Sequence, residues 1–213
     1  MVRTVLTYGD SNTHGTMPIV TPGEMRRFGR DTRWPRVMAK GLGAAWELVE
    51  EGLPGRTTQY GDPVMGAHLD GRDGLKIALA SHGPVDLLTL MLGTNDLKHR
   101  FEPSPARIAA GLAGLLDIAL HRDTLARHPG MQVLLICPPA VKEVAPFRAD
   151  FLGAAAHAAA LPAAVAELAE ARGLGFFDAN TVIETSETDG VHFEAEAHRT
   201  LGAALAEVVR GMV

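Results

Sequence analysis

The 213-residue sequence contains one cysteine, Cys137, so no intrachain disulfide can form and a thiolate-rich structural zinc site is excluded. Long hydrophobic runs are missing as well. The apolar stretch within MVRTVLTYGD is too short for a signal peptide's apolar segment or a membrane span, so a cytoplasmic protein without a membrane partner is expected. There is no surplus of positive charge: the formal net charge is −5. Aromatic residues make up only 5% of the chain, and they do not interleave with an arginine-rich run. Both absences exclude broad recognition of a nucleic-acid backbone. The chain also lacks a glycine-rich phosphate loop with its following lysine and the G-x-G-x-x-G dinucleotide pattern.

What is present is an alternation. Short apolar runs at 2–8, 46–52, 85–93, 131–139 and 173–179 read as strands, several of them apolar almost throughout, as suits strands buried on both faces of a parallel sheet. Between them, helical patterns occupy 32–42, 71–82, 104–127, 149–172 and 194–212. Asp31 is placed to cap the first, with Pro35 in its opening turn, and Ser104-Pro105 opens the third. Pro162 interrupts the alanine-rich 153–171 stretch, which predicts a kink or two shorter helices before a stop at Gly173. With neither repeats nor a low-complexity linker, the pattern predicts one domain over 1–213: a three-layer α/β/α sandwich on a five-stranded parallel sheet. In such a sheet the loops after the strands carry the site, which places 9–15, 52–58, 93–98 and 178–193 on one rim.

Each of these loops holds one piece of a hydrolytic chemistry, and each piece alone has a plain structural explanation. Ser11 in TYGDSNTHG is either a helix-capping serine or a nucleophile, which needs an adjacent base held by a third group. In TDGVHF, Asp189 and His192 are either a turn with a nearby histidine or a carboxylate orienting a general base. Asn95 in MLGTNDLK is either turn chemistry or an oxyanion donor. Gly55 in EEGLPGRTT either makes a bare turn or aims a backbone N–H at a ligand. Taken together, the four supply a nucleophile, oxyanion donors, an orienting acid and a base at successive strand ends. A silent binding module of the same fold would lack at least one of them.

The blocks YGDSNTHG, GLPGRTT, MLGTND and DGVHF resemble those of the SGNH (GDSL-type) hydrolases, in order and over nearly the whole chain. The stretches TRWPRVMAKGLG, CPP and FFDA bring it nearest the branch of bacterial arylesterases and a mycobacterial esterase/acyltransferase. The resemblance implies a flavodoxin-like α/β/α fold and hydrolysis of short acyl esters, aryl esters included, with acyl transfer to alcohols as the alternative. It implies Ser11, Asp189 and His192 as the catalytic triad and Ser11, Gly55 and Asn95 as the oxyanion hole. Asp10, Asn12, His14, Thr94 and Val191 are then supporting or pocket residues, Asp10 bracing its loop. No metal or organic cofactor is required, the partner is a small-molecule ester, and relatives imply a homo-oligomer, in some cases an octamer. At positions where the acyltransferase has leucine and tryptophans, this chain has Asn12, His14 and Thr16, which implies a more polar entrance. Met17, Met25, Met65 and Met91 are candidates to soften a pocket, although the core is the commoner place for most methionines.

Overall fold

The computed structural model describes residues 2–21 and 23–212. In chain order the elements are β1 (Arg3–Gly9), α1 (Ser11–His14), α2 (Trp34–Leu42), β2 (Trp46–Gly52), α3 (Gly71–Ser81) and β3 (Leu87–Met91). There follow α4 (Pro105–Ala119), α5 (Arg122–Arg127), β4 (Gln132–Cys137), α6 (Ala154–Ala171), β5 (Gly175–Asp178) and α7 (Ala195–Met212). All five strands are parallel, in the order β2-β1-β3-β4-β5. The order in which successive strands are added reverses between β1 and β3, where a doubly wound fold opens its crevice.

Alternation along the central strands builds two cores. Leu6, Tyr8, Leu88, Leu90 and Leu135 face α3, α4 and α6. Val5, Leu87, Leu134 and Ile136 face α2 and α7. Because β1, β3 and β4 are buried on both sides over most of their length, they are largely apolar, with Thr7 and Thr89 buried among the apolar residues, whereas every residue of the edge strand β2 keeps some exposure. Among the described residues, no helix is long and apolar enough to cross a membrane.

The five strands and the sandwich architecture match the sequence reading, but several boundaries differ. The expected helix 104–127 is two helices. Ser104 caps α4 by accepting from Arg107 N, but the chain extends at His121, and Thr124 Oγ1 turns back to donate to the Ile118 carbonyl. Asp31 caps nothing: α2 begins at Trp34 after Arg33, without a side-chain cap, and Asp31 lies in the preceding turn. The helix expected over 149–172 starts only at Ala154, because Gly153 takes a left-handed conformation. It then runs unbroken through Pro162, which costs one backbone hydrogen bond rather than the element.

Candidate active site

The site stands where four strand ends meet. β1 ends at Gly9, and Asp10 accepts from Asn12 N (2.9 Å) through Oδ1, capping the single turn α1 that begins at Ser11. That turn sits directly on the end of β2. A Cβ on Gly52 would stand 2.2 Å from the His14 backbone nitrogen, so only glycine permits the approach. Ser11 is 5% exposed, and its hydroxyl is 3.1 Å from His192 Nε2. On the other side of the ring, His192 Nδ1 meets Asp189 Oδ2 at 2.6 Å.

Asp189 is held in turn by backbone donors. Its Oδ1 accepts from Val191 N (3.0 Å) and His192 N (2.9 Å), and its Oδ2 from Ile19 N (2.7 Å). Burial raises its pKa, but the His192 hydrogen bond, the imidazole charge and these backbone donors outweigh it and hold the carboxyl below its ordinary value. Asn12 Nδ2 donates to the Val191 carbonyl (3.0 Å), tying the serine turn to the histidine loop.

Opposite the imidazole stand the groups read as oxyanion donors. Gly55 has φ +87°, a left-handed conformation imposed by the Leu53–Arg56 turn. Asn95 Nδ2 donates to the Arg56 carbonyl (3.1 Å) and makes a long contact to Asp10 Oδ2 (3.4 Å). Among the described residues, the backbone N–H groups of Ser11 and Gly55 find no acceptor. Two buried carboxylates fasten this side: Asp10 joins the Ser11 turn to Asn95, and Asp96 accepts from Thr58 N (3.1 and 3.0 Å), joining the Asn95 turn to the Gly55 loop. Burial pushes both carboxyls up to about 6. Asn12 N–H and the His192, Arg56 and Lys98 charges oppose the rise in Asp10. Thr58 donors oppose it in Asp96, while the Asp10 charge adds to it.

Ser11, His192, Asn95 and Gly55 all face one cavity of about 280 Å³. Val191 lines it too, but Asp10, Asn12, His14 and Thr94 do not. Asn12 is only 1% exposed and is spent on Val191, while His14 turns to Thr16 Oγ1 (3.0 Å) and gives its carbonyl to Arg27 Nε (2.7 Å). Thr94 is buried under the turn that carries Asn95. The polar entrance expected from Asn12, His14 and Thr16 therefore shrinks to Thr16 alone, and Ile19, Phe147 and Phe151 make much of the wall apolar. The structure divides the methionines between pocket and core. Met25 and Met65 line the cavity and are 62% and 46% exposed, whereas Met91 is in the core.

The profile of the GDSL-like lipase/acylhydrolase family matches residues 7–200. The chain belongs to this family. As an acylhydrolase it is a carboxylic ester hydrolase, as the resemblance implied. Solved relatives agree over the full length. The inhibitor-bound aryl esterase of M. smegmatis is 37% identical with a TM-score of 0.94, covering 100% of both chains. Est24, a carbohydrate acetylesterase from Sinorhizobium meliloti, is 36% identical with a TM-score of 0.94, covering 99% of this chain and 100% of its own. A carbohydrate acetylesterase family member from the same organism is 35% identical, with a TM-score of 0.89 and 99% coverage of both chains. A comparison with curated proteins finds no match.

Within this family fold, the sequence reading missed the far wall of the cavity. Lys98 and Arg56 sit inside the quoted blocks but carried no role there. Arg56 lies over the Tyr8 ring at 4.0 Å and donates from Nη1 to the Gly9 carbonyl (2.8 Å), bracing the end of β1. A buried charge so close to the site's glycine was the available signal. Phe147, Asp150 and Phe151 come from the segment between β4 and α6, where no motif marks them.

Proposed function

We propose that this acylhydrolase is a serine esterase that removes short acyl groups, acetyl above all, from aryl or sugar alcohols through an acyl-enzyme on Ser11. The observation that carries the reading is the hydrogen-bonded series from Ser11 Oγ through His192 to Asp189, opening on a cavity of about 280 Å³. That volume is at the small end for ligand pockets. Ser11 attacks the ester carbonyl as His192 Nε2 takes its proton, and Asp189, held charged, stabilises the imidazolium. The oxyanion meets the Ser11 and Gly55 N–H groups and Asn95 Nδ2, whose long contact to Asp10 is the easily displaced one. His192 then protonates the departing alcohol, and water repeats the sequence on the acyl-serine. Aryl and carbohydrate alcohols enter the proposal through the aryl esterase and acetylesterase relatives.

A second reading, acyl transfer to an alcohol in water, is favoured by the apolar wall of Ile19, Phe147 and Phe151, which resists water near the acyl-serine. One experiment addresses both. A series of 4-nitrophenyl esters from acetate to palmitate, with and without added alcohol, is run on wild type and Ser11→Ala. Activity falling steeply beyond butyrate and reduced to background in the variant is expected, and ester product in the alcohol arm would add transfer. Full activity of Ser11→Ala would end the proposal. An intact fold that neither cleaves any ester nor takes a fluorophosphonate label would point instead to a silent binding module.

A further inference from the structure

The cavity has one wall that the acyl-enzyme chemistry does not use. Lys98 follows Asn95 by three residues, and its N–H bonds the Asn95 carbonyl (3.3 Å), so the turn that presents the amide also presents an ammonium. Lys98 is 6% exposed and lines the cavity with Ser11. Its Nζ reaches Asp62 Oδ2 at 3.3 Å and the Met65 thioether sulfur, a weak acceptor, at 3.5 Å. An ammonium has three donors, so a buried donor is left for a group inside the cavity.

The position of this wall relative to the reacting atoms follows from Phe147. Its ring stands edge-on to His192, with centroids 6.1 Å apart. Since His192 protonates the departing alcohol, the alcohol portion lies on the Phe147 side. The same segment supplies Asp150, which pairs with Arg100, and Arg100 Nη1 bonds Asp62 Oδ1 (3.0 Å), the carboxylate that holds Lys98. The alcohol is thus flanked by apolar rings and by a chain of two cations and two carboxylates. Lys98, Arg100 and Asp150 line the cavity with Asp62 buried behind them, and the four formal charges cancel, so the wall offers donors and acceptors without net charge. Asp62 is completely buried and also accepts from Val64 N (2.8 Å) and Met65 N (3.1 Å), which fixes the arrangement in place.

We infer that Lys98, held by Asp62, is a specificity-determining residue that selects esters whose alcohol portion carries free, uncharged hydroxyl groups. A hydroxyl accepts from Nζ and donates to a carboxylate, as this wall requires. A carboxylate on the substrate would meet Asp150, which lines the cavity, while Asp62 behind Lys98 already neutralises the ammonium. An alcohol without hydroxyls would leave the ammonium desolvated and short of an acceptor, a loss that discriminates more strongly than missing apolar contact. The inference rests on the serine-esterase reading and adds the choice of alcohol to it.

The test compares kcat/KM for a methyl glucoside acetylated at its primary hydroxyl with kcat/KM for cyclohexylmethyl acetate, which has a similar ring and no hydroxyls. Wild type, Lys98→Met and Lys98→Arg are assayed, with fluorophosphonate titration of Ser11 counting folded, competent sites. Wild type is expected to prefer the glucoside. Per titrated site, Lys98→Met should lower the glucoside-to-cyclohexyl ratio by on the order of 10–100-fold, with Lys98→Arg recovering part of it. Equal loss on both esters, or an unchanged ratio, overturns the inference while leaving the esterase reading standing. A preference for an acetylated hydroxy acid over the glucoside also overturns it. A wild type that cleaves neither ester and takes no label overturns both readings together.

Discussion

Three aspartates are buried within one site, and the structure treats them in opposite ways. Asp189 collects three backbone N–H groups and an imidazole, and its carboxyl is held below its ordinary value. Asp10 and Asp96 lie deeper within the protein and collect fewer donor groups, and burial pushes both up to about 6. Desolvation is the first cause for all three; it is heavier at Asp10 and Asp96, where the Asp10 charge also raises Asp96, and only at Asp189 do the hydrogen bonds and the imidazole charge outweigh it. In the proposed mechanism, the base side needs a permanent charge to stabilise an imidazolium. On the oxyanion side, Asp10 and Asp96 serve as fasteners between loops, and with pKa values raised to about 6 their charge is lost as the pH falls through that value.

Breaking the base side should have the larger effect. Asp189→Asn keeps the size and some hydrogen bonds but leaves His192 in the wrong tautomer, and kcat for 4-nitrophenyl acetate should fall by about 10⁴-fold. A loss under tenfold would show that Asp189 does not serve the imidazole. On the oxyanion side, Asn95→Ala removes one donor of three, and kcat should fall by about 10²–10³-fold with KM little changed. If KM rises while kcat holds, Asn95 binds substrate without stabilising the oxyanion.

The difference between the two sides also marks what the sequence made legible. The sandwich was readable because β1, β3 and β4 are apolar on both faces and helical patterns separate them. The candidate residues Ser11, Gly55, Asn95, Asp189 and His192 were readable because each follows a strand in a short block, where chain proximity already limits geometry. The reading of His14 as a pocket residue failed because a single-turn helix points it at Thr16, and nothing local distinguishes that outcome. Lys98, Asp62, Arg100 and Asp150 were illegible as a unit. They come from three separate segments, and only the folded chain shows that their charges cancel. The methionines were left between pocket and core for a related reason. Composition makes burial the commoner outcome, yet Met25 and Met65 sit on loops that end at a cavity mouth.

The smallest effect is the most direct measure of the contrast between the aspartates. A carboxyl raised from 3.8 to about 6 on folding contributes stability that is fully present below its unfolded pKa and is lost as pH rises through 6. For Asp96 this amounts to roughly 3 kcal/mol across that window. Asp96→Asn cannot ionise. It places an amide where Thr58 N approached both carboxylate oxygens, so it is expected to be less stable than wild type at pH 4. Between pH 4 and pH 7, however, its deficit should shrink by several degrees of Tm, at about 2–4 °C per kcal/mol for a chain of this size. Asp189→Asn should show the opposite sign: the wild-type carboxylate stabilises above its unfolded pKa, and that contribution is lost as pH falls below 4, so the variant's deficit is largest at neutral pH. Thermal melts of the three proteins at matched ionic strength from pH 3 to pH 7 decide the matter. A flat difference for Asp96→Asn would mean that the carboxyl fastening the Gly55 and Asn95 loops titrates alike in the folded and unfolded chain, and that its burial does not set it apart from an exposed aspartate.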